Sequence, residues 1–299
     1  MSDPWRLVAS YFTLAGNVVP FSGTNPSPFD LRDRAVAAAA AGYVGFGLET
    51  SDLIHCVERF GHAGIKAILR DAGLDYFELE CLFDWFAQGE ARAASDRSRE
   101  IILRAAGEIG VVQIKAVAAS RETQCSRARM IDEFGTLCRE AAAVGANLNL
   151  EIYPDSHVRD LEAAQALVEG ANEPNGGLLI DIWHMGRGGV VYEDLAKLPP
   201  GMIKAVELDD AKAEQIGSIF EDTIHRRLLP GEGDLDVQRF LDCIHDTGFD
   251  GVYGVEIVSD AHRQLSLEEA ARRSFDATNA QLKMAAERRA SQAASALAG

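Results

Sequence analysis

Short β-prone apolar runs alternate with Ala-rich amphipathic stretches along almost the whole chain. The runs predict strands over Arg6–Ser10, Tyr43–Glu49, Asp75–Glu80, Val111–Ala116, Ala146–Ile152, Gly177–Ile182, Met202–Leu208 and Gly251–Ile257. Between them, apolar residues recur three and four apart over Leu31–Ala41, Ala94–Ile109, Ala128–Val144, Val158–Gly170 and Asp236–Asp246, the spacing of helices that bury one face. Glycine closes several of these helices just before the next strand, at Gly42, Gly110, Gly145 and Gly248, where a left-handed cap costs it little. Eight strand-plus-helix units predict a single (β/α)8 TIM barrel of class α/β. An open doubly wound sheet is the rival, but no GxGxxG or GxxxxGK(S/T) follows any strand. The barrel is expected over residues 1–285, with 286–299 an Ala-rich terminal helix fraying into a tail.

Composition narrows the function classes. The chain has 299 residues, enough for a sizeable core, and is 47% hydrophobic. Lys plus Arg number 29 against 46 Asp plus Glu, a net charge of −17, which argues against nucleic acid and against anionic membrane surfaces. Five scattered cysteines without a CxxC read as reduced thiols rather than a disulfide framework. The opening Met-Ser-Asp-Pro-Trp lacks a basic segment followed by an apolar one, and no apolar run approaches the roughly 20 residues of a membrane span. Together these point to a soluble, cytoplasmic protein.

The chemistry is carried by acids at the ends of apolar strands. Glu151 follows Leu148-Asn149-Leu150, Asp181 follows Leu178-Leu179-Ile180, Glu207 follows Val206, and Glu256 follows Val255. In a barrel the C-terminal strand ends form the rim where chemistry occurs, and alternate side chains point inward, so these four carboxylates could converge at one depth. Unpaired, such a cluster is costly, and a divalent cation would relieve it. Any one acid at a strand end can equally cap the next helix or lie solvated in a loop. The repetition on four successive strands favours the metal site. Its all-oxygen character suits Mg²⁺ or Mn²⁺ better than Zn²⁺, which gathers His or Cys, with Co²⁺ a further candidate. His184, three residues past Asp181, lies just beyond the rim, where it could touch a substrate or simply face solvent.

Leu-Glu151, Leu-Ile-Asp181-Ile-Trp-His184, the strand-seven acid, Pro230-Gly231-Glu232-Gly233-Asp234-Leu235-Asp236 and Val-Glu256 resemble the sugar phosphate isomerase/epimerase family of the xylose isomerase-like TIM-barrel superfamily, which includes ketose 3-epimerases and inosose dehydratases. The resemblance implies one divalent metal held by Glu151, Asp181, Glu207 and Glu256. Glu207 departs from the pattern, standing where the family usually has His or Gln. It implies that His184 and an arginine ahead of the PGEG turn, Arg227 before Arg226, contact substrate oxygens, with His157 a further contact. It implies a keto-sugar or related polyol as substrate, converted through an enediolate by Glu151 and Glu256 as an acid/base pair, and a homo-oligomer. Dehydratase members form the same enolate and expel a β-hydroxyl, so a dehydratase or lyase on a keto-inositol or 3-keto-glycoside is the alternative. A non-catalytic sugar-binding barrel is the third reading, kept open by Glu207.

Strand parity adds two candidates. If the Gln113/Lys115 face of strand four points inward, Lys115 reaches the pocket and offsets the acids. Glu49, ending strand two, is placed to add a substrate hydrogen bond. The run from Phe77 to Phe86 reads as an apolar wall or lid, or as a packing cluster. Endonuclease IV-type chemistry, which needs a His-rich zinc site, finds no histidine on strands two and three.

Overall fold

The computed structural model describes residues 5–23, 26–118 and 125–298. Eight parallel strands close into a barrel in sequence order: β1 Leu7–Ala9, β2 Gly45–Glu49, β3 Tyr76–Phe83, β4 Gln113–Val117, β5 Asn147–Glu151, β6 Gly176–Asp181, β7 Ile203–Leu208 and β8 Tyr253–Val255. Closure through the β1–β8 pairing removes the open doubly wound alternative. The outer layer is built from the long helices Leu31–Ala41, Thr50–Asp71, Gly89–Ile109, Arg127–Ala143, Leu161–Ala171, Val237–Asp246 and Leu267–Ala298. The four helix-closing glycines, Gly42, Gly110, Gly145 and Gly248, all have positive φ. The last helix stays helical from residue 286 to 298, the stretch whose sequence reads as a tail.

Period-two alternation sorts the strand residues into two environments. Outward positions such as Phe46, Leu48, Leu79, Ile114, Leu148, Leu150, Ile180, Val206 and Leu208 are each no more than 1% exposed and pack under the helices. Each buried aliphatic or aromatic side chain contributes roughly 1.5–3 kcal/mol, so this interlayer shell is what holds the barrel closed. The inward positions are polar: Glu78 and Glu80 on β3, Lys115 on β4, Asn149 and Glu151 on β5, Asp181 on β6 and Glu207 on β7 are all buried.

Strand β3 runs three residues past the end predicted for it, and carries one residue more than β4 between paired positions. Leu79 pairs with Ile114 and Leu82 with Ala116, so Glu80 and Cys81 together stand opposite Lys115. Such a bulge reverses parity beyond it. Phe83, paired with Val117, is thereby turned to the barrel mouth, where both side chains line the main cleft. The neighbouring aromatics go elsewhere: Trp85 packs at 5.8 Å on Phe134 and Phe86 at 5.2 Å on His157. The Phe77–Phe86 run therefore splits, with Phe83 a cleft wall and Trp85 and Phe86 a packing cluster.

Candidate metal centre and active site

Successive strands lift the four strand-end acids to one level. Asp181 and Glu207 are register partners across β6 and β7, and Glu207 is paired with Gly254 on β8. A Cβ on Gly254 would lie 2.7 Å from Glu207 Cγ, so only glycine leaves room for that carboxylate to lie across β8. Glu151, Asp181, Glu207 and Glu256 each present an oxygen, and these oxygens lie within 4.8 Å of one another. Glu151 and Asp181 form a second such group with His184.

Two buried cations partly balance the acids. Lys115 Nζ stands 2.5 Å from Glu207, 3.1 Å from Glu80, 3.4 Å from Glu78 and 3.8 Å from Glu256, and donates to Ser10 Oγ at 3.1 Å. Arg227 Nη1 lies 2.6 Å from Asp181 Oδ2 and 2.8 Å from both Asp209 Oδ2 and Glu256 Oε2, and its guanidinium stacks 5.3 Å from the Trp183 ring. Seven buried carboxylates, counting Glu78, Glu80 and Asp209, thus face two cations, an excess of five negative charges if all ionise. Burial accordingly pushes Glu207 up to about 8, against the pull of Lys115, with Glu151 and Asp181 adding to the rise. Burial and then the Glu207 charge push Glu256 well up, and Asp209 rises through burial and Asp181. Asp181 goes the other way: burial opposes, but the Arg227 guanidinium, then His184, holds its carboxyl below the usual range.

Asp181 serves the fold and the site together. Its Oδ1 accepts from the backbone N–H of Trp183 at 2.6 Å and His184 at 3.2 Å, capping the helix Ile182–Arg187, while Oδ2 meets Arg227. That cap fixes His184, whose Nε2 lies 2.8 Å from Glu151 Oε1. Arg227 is held by the backbone, its N–H donating to Val258 O, while Leu228 bridges to Asp210. The Asp210 carboxylate accepts from the N–H groups of Ala211, Gly231, Gly233 and Leu235 at 2.8–3.1 Å, which ties the PGEG turn to the end of β7. Gly233 is required there, since a Cβ would lie 2.1 Å from Asp210 Oδ1.

A cleft of about 360 Å³ opens above the cluster. Glu151, Glu256, His184 and Arg227 line it, and so does Glu80. Four other candidates for substrate contact lie elsewhere. Lys115 reaches the acids but sits beneath them, outside the lining. Glu49 accepts from Ser51 N–H at 3.1 Å as the cap of Thr50–Asp71. His157 packs on Phe86. Arg226, the second choice behind Arg227, donates outward to Glu221 O. Sequence reasoning missed Glu78, Glu80, Asp209 and Ser10. The Glu78-x-Glu80 alternation, two acids on one face of a predicted strand, was the available signal.

The donor set fits a hard divalent cation. Glu207 Oε2 and Asp209 Oδ1 are buried with no hydrogen-bond partner among the described residues. Leaving such an oxygen unpaired costs about 1–3 kcal/mol, more for a charged group. Oxygens around one ion at roughly 2.1 Å stand at most about 4.2 Å apart, so the cluster needs only tenths of an ångström to close.

The family model described as xylose isomerase-like TIM barrel matches residues 35–281. The chain belongs to this family. An inosose isomerase of Bacillus licheniformis is 27% identical over 176 residues, 57% of this chain and 62% of the relative. A 3-dehydroshikimate dehydratase of Pseudomonas aeruginosa is 26% identical over 250 residues, 82% of this chain and 38% of the relative. The chain thus spans about three fifths of the first relative and under half of the second. A crystal structure of an IolI protein with a bound zinc atom superimposes with a TM-score of 0.79 at 20% identity, covering 93% of this chain and 98% of that one, a likeness of fold. Among the described residues, no helix is long and apolar enough to cross a membrane, and all five cysteines are free.

Proposed function

We propose that this family member is a divalent-metal-dependent isomerase or epimerase of a keto-sugar or related polyol, working from the cytoplasm as a homo-oligomer. The observation that carries the reading is the convergence of four carboxylates at the ends of β5 to β8, with Glu207 Oε2 left without a partner among the described residues. Glu151, Asp181, Glu207 and Glu256 would hold the ion, with Mn²⁺ or Mg²⁺ the best match to an all-oxygen set and Co²⁺ acceptable. Bound there, the cation would supply Lewis-acid polarisation of a carbonyl and its neighbouring hydroxyl.

The chain's own residues do the rest. Glu151 and Glu256 come from strands separated by β6 and β7, so they can meet a substrate carbon from different sides. One takes the proton beside the carbonyl and the other returns it. His184 holds Glu151 at 2.8 Å and Arg227 holds Glu256 at 2.8 Å, so both carboxylates are oriented before substrate arrives. Arg227 and His184 face the cleft as donors for substrate oxygens.

A dehydratase or lyase acting on a keto-inositol or 3-keto-glycoside is the second reading. It is favoured by the dehydratase relative, whose alignment runs along 82% of the chain. The test combines metal analysis by mass spectrometry with proton exchange in D₂O on an inosose. We expect about one Mn²⁺, Mg²⁺ or Co²⁺ per chain, lost in Glu256→Gln, and deuterium at the carbon beside the carbonyl. An isomeric product selects the first reading and an unsaturated one the second. Absence of both metal and exchange after incubation with Mn²⁺ overturns both, leaving a binding barrel.

A further inference from the structure

The cleft has a charged floor and an apolar mouth, and the mouth is unlike a site for a bare sugar. Phe21, from the loop after β1, is 71% exposed and has φ 60°. A left-handed backbone costs a non-glycine residue roughly 1–2 kcal/mol, so an exposed phenylalanine held there is an expense the described protein does not recover by burying the ring. Its ring meets Phe83, beyond the β3 bulge, at 5.7 Å, and Phe220, on the helix Ile219–His225, also at 5.7 Å. Phe220 is itself 41% exposed. Three rings from three separate segments therefore converge on solvent, beside Phe12, Pro20 and Val258 of the same lining.

Charge points the same way. Among the described lining residues the arginine is Arg227; its charge is already balanced at Nη1 by Asp181, Asp209 and Glu256, which leaves it a donor to a neutral substrate oxygen but no surplus charge for an anion. Lys115 is likewise committed, beneath the floor. Among the described lining residues, a phosphate or carboxylate on the substrate would meet an acidic cluster without a spare cation. Size allows a second group: a dry cavity of about 150 Å³ holds one benzene, so about 360 Å³ accommodates two ring-sized units.

We propose that the substrate is a keto-sugar or cyclic polyol bearing an uncharged aryl substituent, its polar ring on the carboxylate floor and its aryl group between Phe21, Phe83 and Phe220. This rests on the functional reading above and adds the substituent to it. Aromatic pairs prefer edge-to-face or offset contacts, and the edge-to-face Phe21–Phe83 pair and the tilted Phe21–Phe220 pair both border the cleft.

The test is calorimetric binding of phenyl β-D-glucopyranoside and methyl β-D-glucopyranoside to the Mn²⁺-loaded protein. Both probes lack the reactive carbonyl and so report binding alone. We expect the phenyl glucoside to bind at least tenfold tighter, about 1.4 kcal/mol, the scale of one or two aromatic contacts. The Phe21→Ala/Phe220→Ala double variant, altered only at exposed side chains, should cut that preference below threefold and leave the methyl glucoside unchanged. Equal affinities in the unaltered protein, a preference that survives the double variant, or failure of both probes to bind overturns the proposal. Metal content measured on the same samples separates the outcomes: retained metal without aryl preference sinks this inference alone, whereas absent metal sinks the reading beneath it.

Discussion

Lys115→Met removes the cation beneath the acid cluster while keeping a side chain of similar length. Lys115 is 2% exposed and faces four carboxylates at 2.5–3.8 Å. Removing one partner of a buried ion pair costs about 3–5 kcal/mol, because the surviving charge is left uncompensated. For a chain of this size that lowers Tm by about 10 °C. The loss should also depend on pH in a defined direction. Lys115 is held well above its usual value by Glu207, Glu78, Glu80 and Glu256 against the effect of burial, so it stays charged throughout pH 5–7.5. Glu207 already keeps its proton up to about pH 8, so the group that responds is Glu78, which burial raises and Lys115 holds down; removing Lys115 lets it rise further. The folded variant then binds more protons than the folded parent, while the unfolded chains titrate alike. Each extra proton makes stability fall by about 1.4 kcal/mol more per pH unit as pH rises, or about 3 kcal/mol between pH 5 and 7.5. Urea unfolding of chelator-treated protein at those two pH values measures this directly. A cost below about 1 kcal/mol, or one equal at both pH values, would refute the view that Lys115 balances ionised acids.

Metal binding should release protons, because Glu207 holds one up to about pH 8 in the metal-free protein. Mn²⁺ affinity should therefore rise about tenfold per pH unit between pH 6 and 8, and Glu207→Gln should flatten that slope; calorimetry in buffers of different ionisation heat counts the protons. Arg227→Gln should leave metal binding equal or tighter, since the guanidinium shares Asp181 and Glu256 with the ion, while weakening substrate binding; a metal titration showing clear loss of affinity would contradict this. Asp210→Ala orphans four backbone N–H donors and should cost about 3 kcal/mol or more by urea unfolding, with loss of activity through the displaced Arg227 loop.

The parts of this protein that period-two and period-3.6 patterning can reach were legible before any coordinates. The closed eight-strand order is one such part, and the shared parity of Gln113 and Lys115 on β4 is another, though alternation alone left open which of the two faces turns inward. What patterning cannot supply is register between strands. Glu78 and Glu80 become partners of Lys115 only because β3 and β4 align Glu78 with Gln113, and Phe83 enters the cleft only because one extra residue follows Leu79. Glu49 and Asp181 show the same limit from the other side. Both end strands and both cap the following helix, but Asp181 also has an arginine opposite it, delivered by a loop 46 residues later in the chain.

That loop shows why the site is assembled from weakly informative residues. Asp209 and Asp210 are adjacent and chemically identical, yet alternation sends one to the Arg227 guanidinium and the other to the backbone of the PGEG turn. The second interaction places the arginine that the first one holds. A motif such as PGEGDLD is then best understood through Asp210: its glycines present N–H groups to one buried carboxylate, and the position of Arg227 against Asp181 and Glu256 is the consequence. The charge excess around Glu207 rests on the same loop. Any change that releases Asp210 removes a cation from the cluster some residues away, and should raise its demand for a divalent ion.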